Sequence, residues 1–381
     1  MAKKEITNII DYLIWRGDLS FEADHFNEID ALVLSRFSYM DMKGILENDK
    51  NGLTIKAAYE KYSSNLEERP KFAPQDPELF RLMAESNRYG DLMLIYHDFK
   101  FSDDDVEQFS TVTIELPDNR HFLSFRGTDN TINGWKEDLL MTFDEKVPSQ
   151  ADALEYIELV AKNTSGDLFL GGHSKGGNLA VYAALFCPEE IAKRIKGVFS
   201  FDGPGLHKTL VDQLDDKIAL PVVATYMPQS SFFGKMLSHR ELQIVVNSNA
   251  SGVMQHDIYS WEVVRKDFVL TKEDTMVSRV FDQAFHDYLA KLSKEERKEV
   301  VNIIFDAVEK CDVDTMEDLT KHFVGNLLKV MKHMNQLDEK DGKLVKEAIG
   351  ILGDSIKDGI IEEFSSHIPF LKKKEPNEKE Q

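Results

Sequence analysis

Residues 166–180 have the sequence GDLFLGGHSKGGNLA, and this stretch decides which fold the chain is expected to adopt. A short apolar strand is followed by a serine between glycines, and then by small and apolar residues with the spacing of a helix. Residues 172–176 fit the pattern G-x-S-x-G, in which a serine occupies a sharp turn between a strand and a helix. The sequence therefore predicts that Ser174 is a nucleophile at the end of a strand.

The spacing of the glycines around Ser174 has a steric cause. A serine between strand and helix adopts a strained backbone with positive φ, so the residues two positions before and after it must be small. Such a turn lifts the hydroxyl clear of the sheet and aims the positive end of the helix at it. The alternative is an ordinary glycine-rich turn with an unrelated serine, but the flanking strand and helix favour the nucleophile.

Composition restricts the kinds of partner. The chain has 381 residues, enough for one large domain with additions or for two domains. An excess of acidic residues, 67 against 46 basic ones, gives a net charge of −21. This charge argues against nucleic acid or an anionic membrane as the main partner. The two cysteines, Cys187 and Cys311, indicate no disulfide framework and fit a reducing compartment.

The N-terminus shows no targeting signal. Asp11 and Arg16 interrupt its apolar run, so a signal peptide is not expected. No window approaches the ~18 uncharged apolar residues of a transmembrane helix. The expected location is the cytoplasm.

Residues 1–75 are predicted to form an N-terminal segment of mixed secondary structure. Helical spacing covers 7–16 and 54–62, whereas 31–38 fits a strand or a helix. Prolines at positions 70 and 74 mark a boundary before the next helical pattern, at 77–87. No catalytic pattern occurs in the N-terminal segment.

Strands alternate with helices in the predicted core, residues 76–271. A hairpin is expected over 111–125 and an amphipathic helix over 149–163, and the strand and helix around Ser174 follow. Further strands are expected at 198–201, 222–226 and 244–246. This alternation predicts an α/β fold, a mostly parallel sheet with flanking helices. In such sheets the C-terminal ends of the strands carry the site.

Helices alone are expected in residues 272–371, which form the predicted C-terminal helical segment. Ser293 to Glu296 is a capping box before an amphipathic helix, and residues 315–318 repeat that pattern before the next helix. Residues 345–364 fit a further helix. The tail, 372–381, is rich in Lys and Glu and is expected to be disordered.

Two motifs resemble those of a known family. The sequence FRGT at 125–128, with Trp135 and Asp138 after it, precedes GHSKGG at 172–177. Together they resemble the class 3 (fungal-type) lipases of the α/β-hydrolase fold, and more closely an uncharacterised, lipase-related bacterial family of unknown function. The resemblance covers roughly residues 85–265 and does not extend to the helical segment.

The resemblance implies an oxyanion hole made by two positions. In class 3 lipases the residue after Phe-Arg-Gly helps to build it, and here that residue is Thr128, whose amide and hydroxyl would both face the oxyanion. The alternative is that the Thr128 hydroxyl caps the loop that follows. The second donor would be the amide of Lys175, which follows the nucleophile. The Lys175 side chain is expected to be solvated at the start of the helix, or else to attract an anionic group. Arg126, Trp135 and Asp138 are expected to brace the loop.

The base must follow Ser174, because the order in this fold is serine, acid, histidine. The candidates are His207, His239 and His256. In the lipases an aromatic residue follows three positions after the catalytic histidine, and Tyr259 has that place after His256. His256 is therefore the predicted base, with His239 as the alternative.

The acid is where the sequence departs from the lipase pattern. The lipases have Asp before an apolar-apolar-Pro step, and here Thr225 has that place. Asp202, at the end of the strand after the nucleophile helix, and Asp257, beside His256, are the possible substitutes. We favour Asp202, whose alternative role is to bond backbone amides in the turn that follows.

Two functions of different classes follow from these residues. The first is a serine hydrolase of the esterase or lipase type that cleaves a small-molecule ester or lipid-like substrate, with no metal or other cofactor. The second is a degenerate hydrolase fold that serves as a binding or scaffold protein, which the missing acid at Thr225 motivates. The physiological substrate, the acyl specificity and the oligomeric state are not predicted.

Overall fold

The structure is a computed structural model of the chain. It describes residues 7–46, 52–66, 72–102, 107–128, 136, 138–139, 143, 145–214, 222–271, 276–311, 323–334 and 336–367.

The main sheet, as far as the chain is described, has eight strands that lie side by side in chain order. They are β1 (Leu53–Thr54), β2 (Met93–Ser102), β3 (Glu107–Leu116), β4 (Arg120–Phe125), β5 (Asp167–His173), β6 (Ile195–Phe201), β7 (Val223–Pro228) and β8 (Leu242–Val246). Strands β1 to β4 pair antiparallel, and from β4 onward the pairing is parallel. A two-stranded sheet pairs β9 (Val263–Val264) with β10 (Asp267–Phe268).

The α-helices of the described residues divide into three sets along the chain. The first set is α1 (Ile9–Arg16), α2 (Glu28–Phe37), α3 (Ile55–Ser63) and α4 (Asp76–Glu85). The second set lies between the parallel strands and contains α5 (Pro148–Asn163), α6 (Lys175–Phe186), α7 (Glu189–Ala192) and α8 (Lys208–Gln213). The third set is α9 (Met276–Lys291), α10 (Lys294–Glu309), α11 (Phe323–Met334) and α12 (Glu339–His367).

The order of the strands determines what covers each face of the sheet. Right-handed crossovers between successive neighbouring strands place their helices on one face, and α5 and α6 share a core there with residues such as Leu123 and Leu170. The other face needs a different cover. The N-terminal helices supply it, because α2 lies against β4, β5 and β6 and its residues share a core with Phe122 and Phe201.

The third set of helices packs around its own apolar core. Buried residues of α9 and α10, including Phe285, Tyr288 and Val300, form a cluster with Phe143, Phe233 and Met236. The last three belong to loops that leave the C-terminal edge of the sheet, so the helices lie over these loops.

The expected fold class is confirmed, since the sheet is mostly parallel after β4 and helices flank it. The segment at 31–38, which fitted a strand or a helix, is part of α2. The long strand β2 was not predicted. The cap expected at 315–318 and the tail expected at 372–381 lie outside the described residues, and the division of the chain at residues 75 and 271 stays a prediction.

Within the described residues, no helix is both long enough and apolar enough to cross a membrane.

Candidate active site

Three neighbouring strands end together at one edge of the sheet. His173 at the end of β5 is in register with Phe201 at the end of β6, and Phe125 at the end of β4 is in register with Gly172. The residues that follow, namely Arg126 to Thr128, Ser174 and Asp202, therefore leave the sheet side by side. This edge is where a parallel sheet is expected to carry its site.

Ser174 has the strained turn that the sequence predicts. Its φ is 57° and its ψ is −132°, and its amide donates to the Phe201 carbonyl at 2.9 Å. A Cβ on Gly172 would lie 2.3 Å from the Gly176 carbonyl, so the turn accepts no side chain there. The Ser174 residue is only 5% exposed.

His256 and Asp202 form a hydrogen-bonded pair next to this turn. Nδ1 of His256 lies 2.7 Å from Oδ2 of Asp202, although 54 residues separate them in the chain. Asp202 is fully buried, and its Oδ1 accepts from the Ser231 hydroxyl and from the Gly234 amide at 3.1 Å. The carboxylate oxygen toward His256 thus has a fixed orientation. This contact leaves Nε2 as the ring nitrogen of His256 for any proton transfer.

Two other rings lie against the His256 imidazole. The ring centroids of Phe233 and His173 are 4.3 Å and 4.4 Å from that of His256. Burial and the neighbouring His256 lower the pKa of His173 well below its usual value. His173 is therefore neutral near pH 7.

The loop after β4 lies directly against the serine turn. A Cβ on Gly127 would be 2.5 Å from the His173 carbonyl oxygen and 3.1 Å from Cβ of Ser174, so only glycine allows this approach. Thr128 is next in the chain, and its hydroxyl donates to Asp138 at 2.5 Å. The Thr128 hydroxyl thus has Asp138 as its acceptor in this structure, and the expectation that it faces the oxyanion stays a prediction.

The Lys175 side chain differs from its expected place. It was expected to be solvated at the start of α6, but it is fully buried. The reason is that the first turns of α6 lie inside the fold, where every residue from Lys175 to Ala184 is buried.

The two alternative histidines, His207 and His239, have partners of their own. His207 caps α8, where its ring accepts from the Thr209 amide. His239 pairs with Glu241, with Nδ1 at 2.5 Å from Oε1, and Thr225 donates to the same oxygen at 2.7 Å. Although burial by itself would raise the pKa of Glu241, the hydrogen bond from His239 brings it to about 2.

The two other positions considered for the acid, Thr225 and Asp257, make different contacts. Thr225 is inside β7, three residues before the end of this strand, and its hydroxyl donates to Glu241. Asp257 accepts from the Tyr259 amide at 3.1 Å and caps a short 3₁₀-helix.

Several residues that bear on the site were missed. Ser231 fixes Asp202, and Tyr39 contacts both the ring and the carbonyl of His173 at 3.2 Å. The Tyr259 hydroxyl donates to Asp76 at 2.8 Å. Tyr259 itself was noted in the sequence as the aromatic residue three places after His256, but its bond to Asp76 was not predicted. No sequence pattern indicates Ser231, Tyr39 or Asp76.

Among the described residues, no three or more His, Cys, Asp or Glu side chains are grouped so that they could hold a metal ion.

Comparison with known proteins places the chain in a family. The model of the Mbeg1-like family matches residues 83–306, which is more than half of the chain. The chain belongs to the Mbeg1-like family. Among solved structures it is similar to the crystal structure of M37 lipase, with 13% identity and a TM-score of 0.34, over 54% of this chain and 67% of that one. No curated protein gave a significant match.

Proposed function

We propose that the protein is a serine hydrolase that cleaves a carboxylic ester of a small or lipid-like molecule. The observation that carries this proposal is the pair of the buried Asp202 and the partly buried His256, at 2.7 Å, beside a serine in a strained strand-to-helix turn. A base needs a partner at its far nitrogen to fix its tautomer. The lipase-like motifs at 125–128 and 172–177 support the same conclusion.

Each residue has a definite task in this mechanism. The Ser174 oxygen attacks the ester carbonyl carbon while Nε2 of His256 takes the hydroxyl proton. The carbonyl oxygen becomes an oxyanion, which the amides of Thr128 and Lys175 bind. His256 then gives its proton to the leaving alcohol as the ester bond breaks. His256 then takes a proton from water, whose oxygen attacks the acyl carbon, and returns this proton to the Ser174 oxygen as the acid leaves. Asp202 accepts from Nδ1 of His256 and stabilises the imidazolium each time it forms.

The test uses a fluorophosphonate probe and short p-nitrophenyl esters. The wild-type protein should be labelled and should hydrolyse the esters, and Ser174→Ala should do neither while its Tm stays nearly unchanged. Ser165→Ala is the matched control, because this serine is exposed in the turn before β5. Full activity of Ser174→Ala would refute the mechanism.

A second pair of variants tests the base. His256→Ala should remove hydrolysis and labelling, whereas His239→Ala should retain most of both, because His239 is paired with Glu241. A wild-type protein that is neither labelled nor active would instead favour the binding or scaffold function.

A further inference from the structure

We propose that His173, directly before the serine, is a positioning residue that fixes the backbone of His256 and thereby orients its imidazole toward Ser174. This inference rests on the proposed function, because it concerns the same base. Asp202 holds the ring of His256, and the His173 ring holds its main chain.

The main chain of His256 needs such a contact because of where it lies. His256 ends a short 3₁₀-helix, Gly252–His256, in the connection between β8 and β9. Its carbonyl oxygen lies 2.8 Å from Nε2 of His173. His173 is the last residue of β5, in the middle of the sheet, so the bond ties a connecting loop to a central strand.

The hydrogen-bond partners define the tautomer of His173. A carbonyl oxygen only accepts, so Nε2 of His173 carries the proton and donates to His256. Nδ1 is then an acceptor, and the Tyr39 hydroxyl lies 3.2 Å both from it and from the His173 carbonyl oxygen, so its single proton is shared between these two acceptors. Both ring nitrogens thus have partners, and the ring has one orientation in a position that is 5% exposed.

A neutral ring at this place also suits the chemistry. The rings of His173 and His256 have centroids 4.4 Å apart with an angle of 35° between their planes. When His256 takes the serine proton it becomes a cation, and a neutral aromatic face attracts a cation whereas a charged neighbour repels it. His173 therefore acts on the base both through its main chain and through its ring.

The expected effect lies in the chemical step. A misplacement of about 1 Å by a residue outside the reacting groups can lower a rate by about 10². His173→Leu removes the donor with little change in volume, so kcat for p-nitrophenyl esters should fall by about 10- to 100-fold while KM stays within about twofold. His173→Gln is the matched control, because its amide can still donate to the carbonyl, and it should keep most of kcat.

An observation independent of turnover completes the test. The proton between His256 Nδ1 and Asp202 should give a low-field ¹H NMR resonance, which His256→Gln identifies by its loss. It should persist in wild type and His173→Gln, and broaden or vanish in His173→Leu. An unchanged resonance or an unchanged kcat in a folded His173→Leu would overturn the inference.

The experiment separates this inference from the proposed function. If the wild type hydrolyses no ester, the proposed function fails, and the NMR resonance still decides whether His173 orients His256. If His173→Leu does not fold, Tyr39→Phe removes the hydroxyl partner of Nδ1 and should weaken the same resonance. A resonance in Tyr39→Phe identical to that of wild type would count against the inference.

Discussion

Two polar residues at the sheet edge adopt positive φ, Ser174 at 57° and Asp202 at 51°. A residue other than glycine in such a conformation costs about 1–3 kcal/mol and persists only when its surroundings impose it. At Asp202 the surroundings are the Ser231 hydroxyl and the Gly234 amide on one oxygen and His256 on the other. The strain at Asp202 therefore accompanies a defined orientation of its side chain.

Asp202→Asn tests the acid with little disturbance of the backbone, because Asn tolerates positive φ better than most residues. The variant should fold, and its kcat should fall by about 10² or more with little change in KM, since the neutral amide neither fixes the tautomer nor stabilises the imidazolium. Steady-state kinetics and Tm measure the two effects. Asp257→Asn is the control and should have a modest effect, because Asp257 caps a turn. Equal losses in both variants would contradict the assignment.

At the scale of the elements, helices α2 and α4 contact the segment that follows His256. Arg36 of α2 and Asp76 of α4 form a bidentate ion pair, with N–O distances of 2.7 Å and 2.8 Å, and both residues are buried. Tyr259, three residues after His256, donates to the same Asp76. The segment that follows His256 is thus anchored to two N-terminal helices.

Asp76→Ala should destabilise the protein by about 3–5 kcal/mol, because it leaves the buried Arg36 charge without its partner. Urea unfolding measures this change. The control in the same helix is Arg81→Ala, whose pairs with Glu78 and Glu85 are surface contacts worth at most about 1 kcal/mol. Tyr259→Phe removes one hydrogen bond and should cost about 1 kcal/mol. A loss for Asp76→Ala no larger than that for Arg81→Ala would contradict this account.

Local patterns predicted the elements, whereas contacts between distant segments could not be predicted. The serine turn is encoded within residues 166–180, so its position and the α/β class followed from the sequence. Strand β2 was missed because Asp98 and Lys100 interrupt its apolar pattern. Ser231 and His173 act on residues 29 and 83 positions away, and no spacing rule connects such pairs. The buried Lys175 depends on how α6 packs, which its own sequence does not show.

At the scale of the whole molecule, Phe233 links the C-terminal helices to the site. Phe233 contacts the His256 ring on one side and belongs to the helical core on the other. Phe143 joins that core too, with its ring 6.4 Å from Tyr288. Ser174 is only 5% exposed, so little of its surface is open to an ester.

Phe143→Ala should loosen the helical unit while the sheet stays intact. The loss of a buried aromatic side chain costs about 3–5 kcal/mol, and here it falls within the core of α9 and α10. Hydrogen exchange should accelerate in residues 276–311 and stay unchanged in β5 and β6. Leu159→Ala, which removes a side chain that is half exposed, should leave both regions unchanged. Equal acceleration in β5 and β6 would mean that the helices and the sheet open as one unit.

The side-by-side order of the strands has a consequence for the protein while it is being made. Each strand from β2 onward can add to the edge of the sheet already formed as the chain leaves the ribosome. His256 emerges 54 residues after Asp202, a delay of about 3–11 s at common rates of synthesis. During that interval the nascent chain can form the serine turn but has no base beside it. Any hydrolysis by Ser174 would therefore begin only after the whole sheet has been translated.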